Sequence, residues 1–230
     1  MLRVANICGH SFVENWLSDN SCIVDCGANH GDFAKDASRK WHCTIHGLEP
    51  DPRLFPRLPR LEKCEFHEVA LAGTTGTRTL NLGQSYDSSF TYEESHDIER
   101  CEVTTISLPD LCNRNGIALI DLLKLDTEGA EVEVFASLED DWIASRIIQL
   151  TVEFHEFLDP RDIPAIASIL QRLQRLGFYC LPFSRTYGDI LFVNKGFITI
   201  SWPNRLAMLA MRYERGIGRV LARRLARRPT

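Results

Sequence analysis

The chain has 230 residues, 44% of them hydrophobic and 25% charged, which excludes a disordered chain or a fibre and suits one α/β unit. The net charge of -5 argues against a general nucleic-acid binder, but it is uneven: 8 arginines against one acid give residues 203–230 a balance of +7, leaving -12 on the rest. No apolar run approaches the ~20 residues of a bilayer span. The opening MLRVANICGHSFVENW has no apolar stretch of signal-peptide length. The eight cysteines form no CxxC pair, so reduced thiols in a cytoplasmic protein are expected.

In chain order, Cys22–Cys26 predicts a buried strand, followed by a glycine-bearing turn and a helix near Asp32–Arg39. Thr44–Glu49 predicts a second strand, Pro50-Asp51-Pro52 the start of a short helix, and Phe66–Leu71 a third strand. Residues 73–106 are rich in Thr, Ser and Gly and contain the alternating pieces Thr77–Leu82 and Glu102–Ile106, which predicts a β-hairpin insertion with a mobile tip. Strands at Leu119–Leu125 and Arg146–Phe154 alternate with helices at Ala130–Ala136 and Pro160–Leu176. Phe178–Phe183 and Asp189–Asn194 read as a closing antiparallel pair. Strands separated by helices imply an α/β fold: a mostly parallel, doubly wound sheet with an antiparallel last strand.

The first turn reads Asp25-Cys26-Gly27-Ala28-Asn29-His30-Gly31-Asp32-Phe33. Gly27 and Gly31 allow a sharp bend and close approach of a ligand. Against the dinucleotide fingerprint GxGxxG, however, Asn29 and Asp32 replace two glycines, and Asp32 would repel a pyrophosphate. A phosphate-free cofactor with a positive centre, such as S-adenosylmethionine, fits better. Glu49, about twenty residues past the turn, is placed for a ribose diol.

VDCGANHGDF, GLEPDP, LLKLDTEGAEVEVF and IIQLTVEFHE resemble, in order, the landmarks of the FkbM family of S-adenosylmethionine-dependent methyltransferases, over about residues 20–194. The resemblance implies a Rossmann-like fold and O-methylation of sugars, glycolipids or polyketide-type metabolites. It also implies a cofactor turn at Asp25, Gly27, Ala28, Asn29, Gly31 and Phe33, a ribose acid at Glu49, an adenine lining at Val69 and Ala70, and strand-end acids at Asp126 and Glu128. Its limits divide the chain into a methyltransferase domain at 1–195, with 73–106 as its insertion or lid, and a tail at 196–230.

Methyl transfer to an alcohol is an in-line displacement that must also remove a proton from a very weak acid. His155 has the ordinary pKa of a base near neutrality, and His155, Asp126 and Glu128 are the catalytic candidates. Asp126 and Glu128 could instead hold the cofactor's ammonium or ligate a divalent cation such as Mg²⁺; no spacing is diagnostic, and the metal is left open. Plain alternatives stand beside these roles: Asp126 as a helix cap, Glu128 as a first-turn acid, His155 as a hydrogen-bond partner of Glu128, and Glu131 and Glu133 as solvated helix-face acids.

The expected activity is O-methyl transfer to a hydroxyl of a sugar, glycan precursor or related metabolite. The alternatives are transfer to nitrogen or another small molecule, or a non-catalytic cofactor-binding module of the same fold. The expected partner is a small-molecule or glycan acceptor selected by the lid, where Tyr86, Ser88, Ser89 and Tyr92 offer hydroxyls and stacking faces; no nucleic acid is expected. In 204–228, Leu206, Leu209, Ala210, Tyr213, Ile217, Val220 and Leu221 share one helical side and Arg205, Arg212, Arg215, Arg219 and Arg223 the other, the separation failing beyond Arg223. That pattern suggests peripheral contact with an anionic inner membrane surface, or a helix packed on its own acidic domain.

Overall fold

In a computed structural model, which describes residues 2–83, 89, 99–184, 186–206 and 208, the chain opens with a hairpin. Strands β1 (Val4–Ile7) and β2 (His10–Val13) join through Cys8-Gly9, whose φ angles of 49° and 89° suit a two-residue turn that follows the strand twist. The sequence had not pointed to this hairpin.

Next come β3 (Cys22–Cys26), α1 (Asp32–Trp41) and β4 (Thr44–Leu48). The expected helix after Pro50 is a turn and a short 3-10 segment at Phe55–Arg57. The expected third strand divides into β5 (Cys64–His67) and β6 (Ala70–Leu71). The chain turns sharply there, with the Val69 N–H donating to the His67 carbonyl at 2.9 Å, and the two strands enter different sheets.

Strands β7 (Gly76–Leu82) and β8 (Glu99–Ile106) pair antiparallel, with β6 parallel to β8 on its other edge. Of the predicted tip, Ser89 is described and pairs with Asn81; Tyr86, Ser88 and Tyr92 lie outside the described residues. Helix α2 (Leu108–Asn115) follows, capped by the Ser107 hydroxyl accepting the Asp110 N–H at 3.2 Å and closed by left-handed Gly116.

Strand β9 (Leu122–Leu125), helices α3 (Glu131–Ser137) and α4 (Asp140–Arg146), and β10 (Gln149–Val152) complete the next crossover. Helix α5 (Ile163–Arg175), entered through a 3-10 turn at Pro160–Asp162, leads to β11 (Phe178–Pro182) and β12 (Ile190–Asn194). Helices α2 and α4 were not anticipated.

The central sheet runs β11-β12-β10-β9-β3-β4-β5. Strands β10, β9, β3, β4 and β5 are parallel, while β12 is antiparallel to both neighbours. This is the Rossmann-like order with a reversed strand near one edge. Burial on both faces explains the near-continuous apolar runs of β3, β9 and β10. One face packs against side chains of α2, α3, α4 and α5 around Leu123, Phe135 and Ile169; the other packs against α1 and the N-terminal hairpin around Phe12, Phe33 and Ile45.

Ile200 and Met208 are buried in that second core, so the described part of 196–208 lies against the domain. The rest of the basic segment, residue 207 and residues 209–230, lies outside the described residues. All eight cysteines are free. Among the described residues, no helix is long and apolar enough to cross a membrane.

Candidate active site

Topology opens the site. After β3 the chain winds outward through β4 and β5, then crosses back to β9 on the other side of β3. The loops leaving β3 and β9 therefore diverge, and ligands of open α/β sheets bind at such switch points. The cleft there holds about 590 Å³, its open mouth included, and is lined by Gly27, Asn29, Leu48, Glu49, Pro50, Ala70, Leu71, Leu80, Asp126, Thr127 and Glu128.

Six residues expected from sequence thus line the cleft: Gly27, Asn29, Glu49, Ala70, Asp126 and Glu128. Asp25, Ala28 and Phe33 are buried behind the wall. Val69 packs partly buried against the core. Gly31 turns the chain into α1 with φ 78°, and a Cβ there would meet the Pro59 ring at 2.6 Å. At Gly27 (φ 83°) a Cβ would lie 1.8 Å from the Asp126 carbonyl oxygen. The protein's own backbone therefore demands this glycine, whatever the ligand.

Glu49 braces the turn. Its Oε2 accepts the Asn29 N–H at 2.6 Å and its Oε1 accepts the Asp51 N–H at 2.8 Å. A carboxylate has about four acceptor sites, so others remain for a diol at the cleft. Burial pushes the Glu49 carboxyl up to about 7, against the pull of these N–H donors.

Behind the turn lies a residue the sequence reading passed over. Register pairs Asp25 with Lys124 on neighbouring strands. The Lys124 ammonium sits 3.0 Å from Asp25 Oδ1 and 3.5 Å from Asp126 Oδ2, and donates to the Gly27 carbonyl at 2.8 Å. Burial alone would lower its pKa; the two carboxylates outweigh burial and hold it above the usual lysine value. Burial likewise pushes the Asp25 carboxyl up, with Lys124 opposing.

Asp126 is the hub. Its Oδ2 meets His10 Nε2 at 3.2 Å, and its Oδ1 faces His155 Nε2 at 3.5 Å. Burial would raise its carboxyl, yet Lys124, His10 and His155 together hold it well below the carboxylate range. His10 arrives on β2, which is clamped by Ser11 on Asp189 (N–H to Oδ1 3.0 Å, hydroxyl to Oδ2 2.7 Å) and by Val13 on the Gln149 amide.

His155 stands between three acids. Its Nε2 lies 3.3 Å from Glu128 Oε2, and its Nδ1 3.1 Å from Glu131 Oε1. Burial opposes its charge, but Glu131, Glu128 and Asp126 prevail and raise its pKa to about 9. His155 thus already carries its proton near neutrality, which argues against the expected role of neutral base.

Glu131 corrects a second expectation, since it is buried rather than solvated. It accepts the Thr127 N–H (2.8 Å), the Thr127 hydroxyl (2.9 Å) and the Gly129 N–H (3.2 Å). Glu133 stays half-exposed and pairs with Arg78 at 2.5 Å. Asp126 is not a helix cap, because Ala130 occupies the N-cap position of α3. Glu128 is not in the first helical turn; it sits in the loop before α3 with φ 52°, its carbonyl accepting the Ser89 hydroxyl.

A Rossmann-like sheet with a reversed strand, a glycine turn braced by an acid, and acids at the facing strand end define the S-adenosylmethionine-dependent methyltransferases. Comparison with known proteins narrows the class: the Methyltransferase FkbM domain matches residues 25–180, and the chain belongs to that family. Among curated relatives, 31-O-demethyl-FK506 methyltransferase FkbM of Streptomyces tacrolimicus is 30% identical over 61% of this chain and 67% of its own. Methyltransferase 1 of Beauveria bassiana is 28% identical over 54% and 60%. Among solved structures, fibrillarin of Aeropyrum pernix, bound to S-adenosyl-L-methionine, aligns with a TM-score of 0.42 and 13% identity over 77% of this chain and 66% of that one.

Proposed function

We propose that the protein transfers the methyl of S-adenosylmethionine to a hydroxyl of a sugar, glycan precursor or related metabolite. The observation that carries this reading is the cleft with Glu49 at one end and Asp126 and Glu128 at the other. The family membership supports it, and the name of the FkbM relative specifies methylation on oxygen.

Glu49 accepts the ribose hydroxyls, the Gly27–Asn29 backbone lies against the amino-acid portion, and Ala70, Leu71 and Leu80 offer an apolar wall to adenine. Asp126, kept ionised chiefly by Lys124, presents negative charge to the cofactor's positive centres. In the transfer, the S–CH₃ bond breaks with its electron pair staying on sulfur. The new C–O bond forms from a lone pair of the acceptor oxygen, and the hydroxyl proton passes to water. Positioning and electrostatics at the strand ends supply the catalysis.

The test is a screen of sugar and polyol acceptors with methyl-labelled S-adenosylmethionine. Label recovered as a methyl ether supports the proposal. Label recovered only on nitrogen contradicts it and moves the protein to the alternative class.

A further inference from the structure

We propose that Asp126, Glu128 and His155 form a binding site for one divalent transition cation, with Mn²⁺ as its probe, beside the methyl-transfer cleft. The proposal rests on the methyltransferase reading for its purpose but not for its geometry. One imidazole nitrogen and two carboxylate oxygens, from the ends of β9 and β10, all lie within 4.8 Å of one another. His155 Nε2 is 3.3 Å from Glu128 Oε2 and 3.5 Å from Asp126 Oδ1. Adjacent ligands of a six-coordinate ion with bonds near 2.1 Å stand roughly 3 Å apart, so small side-chain shifts complete the set as the ion replaces the proton on His155 Nε2, which leaves to water.

Three further features separate this group from an ordinary acidic surface. The first is the imidazole: a mixed nitrogen and oxygen set favours Mn²⁺ over Mg²⁺, which prefers oxygen alone. The second is the support behind it. His155 is 6% exposed, and Glu131, which holds its Nδ1, is 1% exposed and fixed by donors from Thr127 and Gly129. That is the carboxylate–histidine arrangement that orients a ligand nitrogen toward a metal.

The third feature is charge. With Lys124 closest to Asp25, four carboxylates (Asp126, Glu128, Glu131 and Glu153) face two imidazoles, His10 and His155. Like charges crowded this closely call for a counter-charge. The open faces of Asp126 and Glu128, 26% and 32% exposed, look into the cleft. A cation held there would meet the acceptor oxygen, draw electron density from the hydroxyl and lower its pKa, easing loss of the proton to water. The protein would then need no neutral histidine as base.

The test titrates MnCl₂ into the full chain, following free Mn²⁺ by electron paramagnetic resonance, with S-adenosylhomocysteine affinity measured in parallel on the metal-free protein. One bound Mn²⁺ per chain is expected, weakened at least tenfold in Glu128→Gln and in His155→Gln, and 10–100-fold in Glu131→Gln, the range for lost outer-shell support. Each variant should keep the far-ultraviolet circular dichroism of the wild type and a cooperative thermal melt, which report that it is folded. No Mn²⁺ binding by protein that binds S-adenosylhomocysteine overturns the cation site and leaves the methyltransferase reading intact, as does Mn²⁺ binding unchanged by all three substitutions. Mn²⁺ binding without S-adenosylhomocysteine binding overturns the cofactor assignment instead.

Discussion

Lys124 and Asp25, side by side on β9 and β3, form an ion pair at 3.0 Å with the two side chains 3% and 0% exposed. The same ammonium bonds the Gly27 carbonyl, so one buried cation fixes both the strand and the turn that leaves it. Removing one partner of a buried pair leaves an uncompensated charge and costs about 3–5 kcal/mol. Lys124→Met should therefore lower the thermal midpoint sharply. The double variant Lys124→Met/Asp25→Asn should recover part of the loss. Calorimetric melts of the three proteins check this; a Lys124→Met midpoint equal to wild type would refute it.

Gly27→Ala should destabilise the protein before any ligand is added. The left-handed backbone alone costs a non-glycine residue about 1–2 kcal/mol, and the added methyl would lie 1.8 Å from the Asp126 carbonyl oxygen. At about 2–4 °C per kcal/mol for a chain of this size, the ligand-free midpoint should fall by several degrees. An unchanged midpoint with lost cofactor binding would show that the glycine serves the ligand alone.

The His155 cluster makes stability depend on alkaline pH. Its acids raise the His155 pKa from 6.5 to about 9 in the folded, cation-free protein. The stabilisation is thus fully present below pH 6.5 and is lost as pH rises through 9. Thermal melts in chelator between pH 6 and 10 should show the decline, and His155→Gln should flatten it. A wild-type profile that is level over this window would contradict the cluster's charge state.

Where the sequence was legible, the physics was local. The apolar run of β3 and the amphipathic α5 declare themselves by period, and Glu49 by its spacing from the turn. The parts that escaped depend on distant contacts. Strand β2 is buried throughout although it includes His10 and Ser11, because residues more than a hundred positions away meet it: Asp126 at His10 Nε2, Asp189 at Ser11 and Gln149 at Val13. Two signals were available. A lysine inside the apolar run Leu122–Leu125 is out of place unless paired, and helical spacing puts Glu131 on the same face as Val134, Phe135 and Leu138.

Glu49 should make cofactor affinity depend on pH near neutrality. Burial raises its carboxyl from 4.5 to about 7. The folded state therefore favours the neutral acid, and this contribution to stability is lost as pH rises from 4.5 through 7. The ionised form is the better acceptor for ribose hydroxyls, so S-adenosylhomocysteine should bind more tightly at pH 8 than at pH 6. Glu49→Gln should bind equally at both; a wild-type affinity that does not change between them would contradict the assignment.

The most direct test of the account is a calorimetric titration of S-adenosylhomocysteine, and separately NAD, into wild type and Glu49→Ala at pH 8. S-adenosylhomocysteine should bind wild type, and NAD should not. Glu49→Ala should weaken binding by about 1–3 kcal/mol, the cost of lost hydrogen bonds to a charged partner. NAD binding in place of S-adenosylhomocysteine, or equal S-adenosylhomocysteine affinity in the two proteins, would contradict the assignment of this cleft.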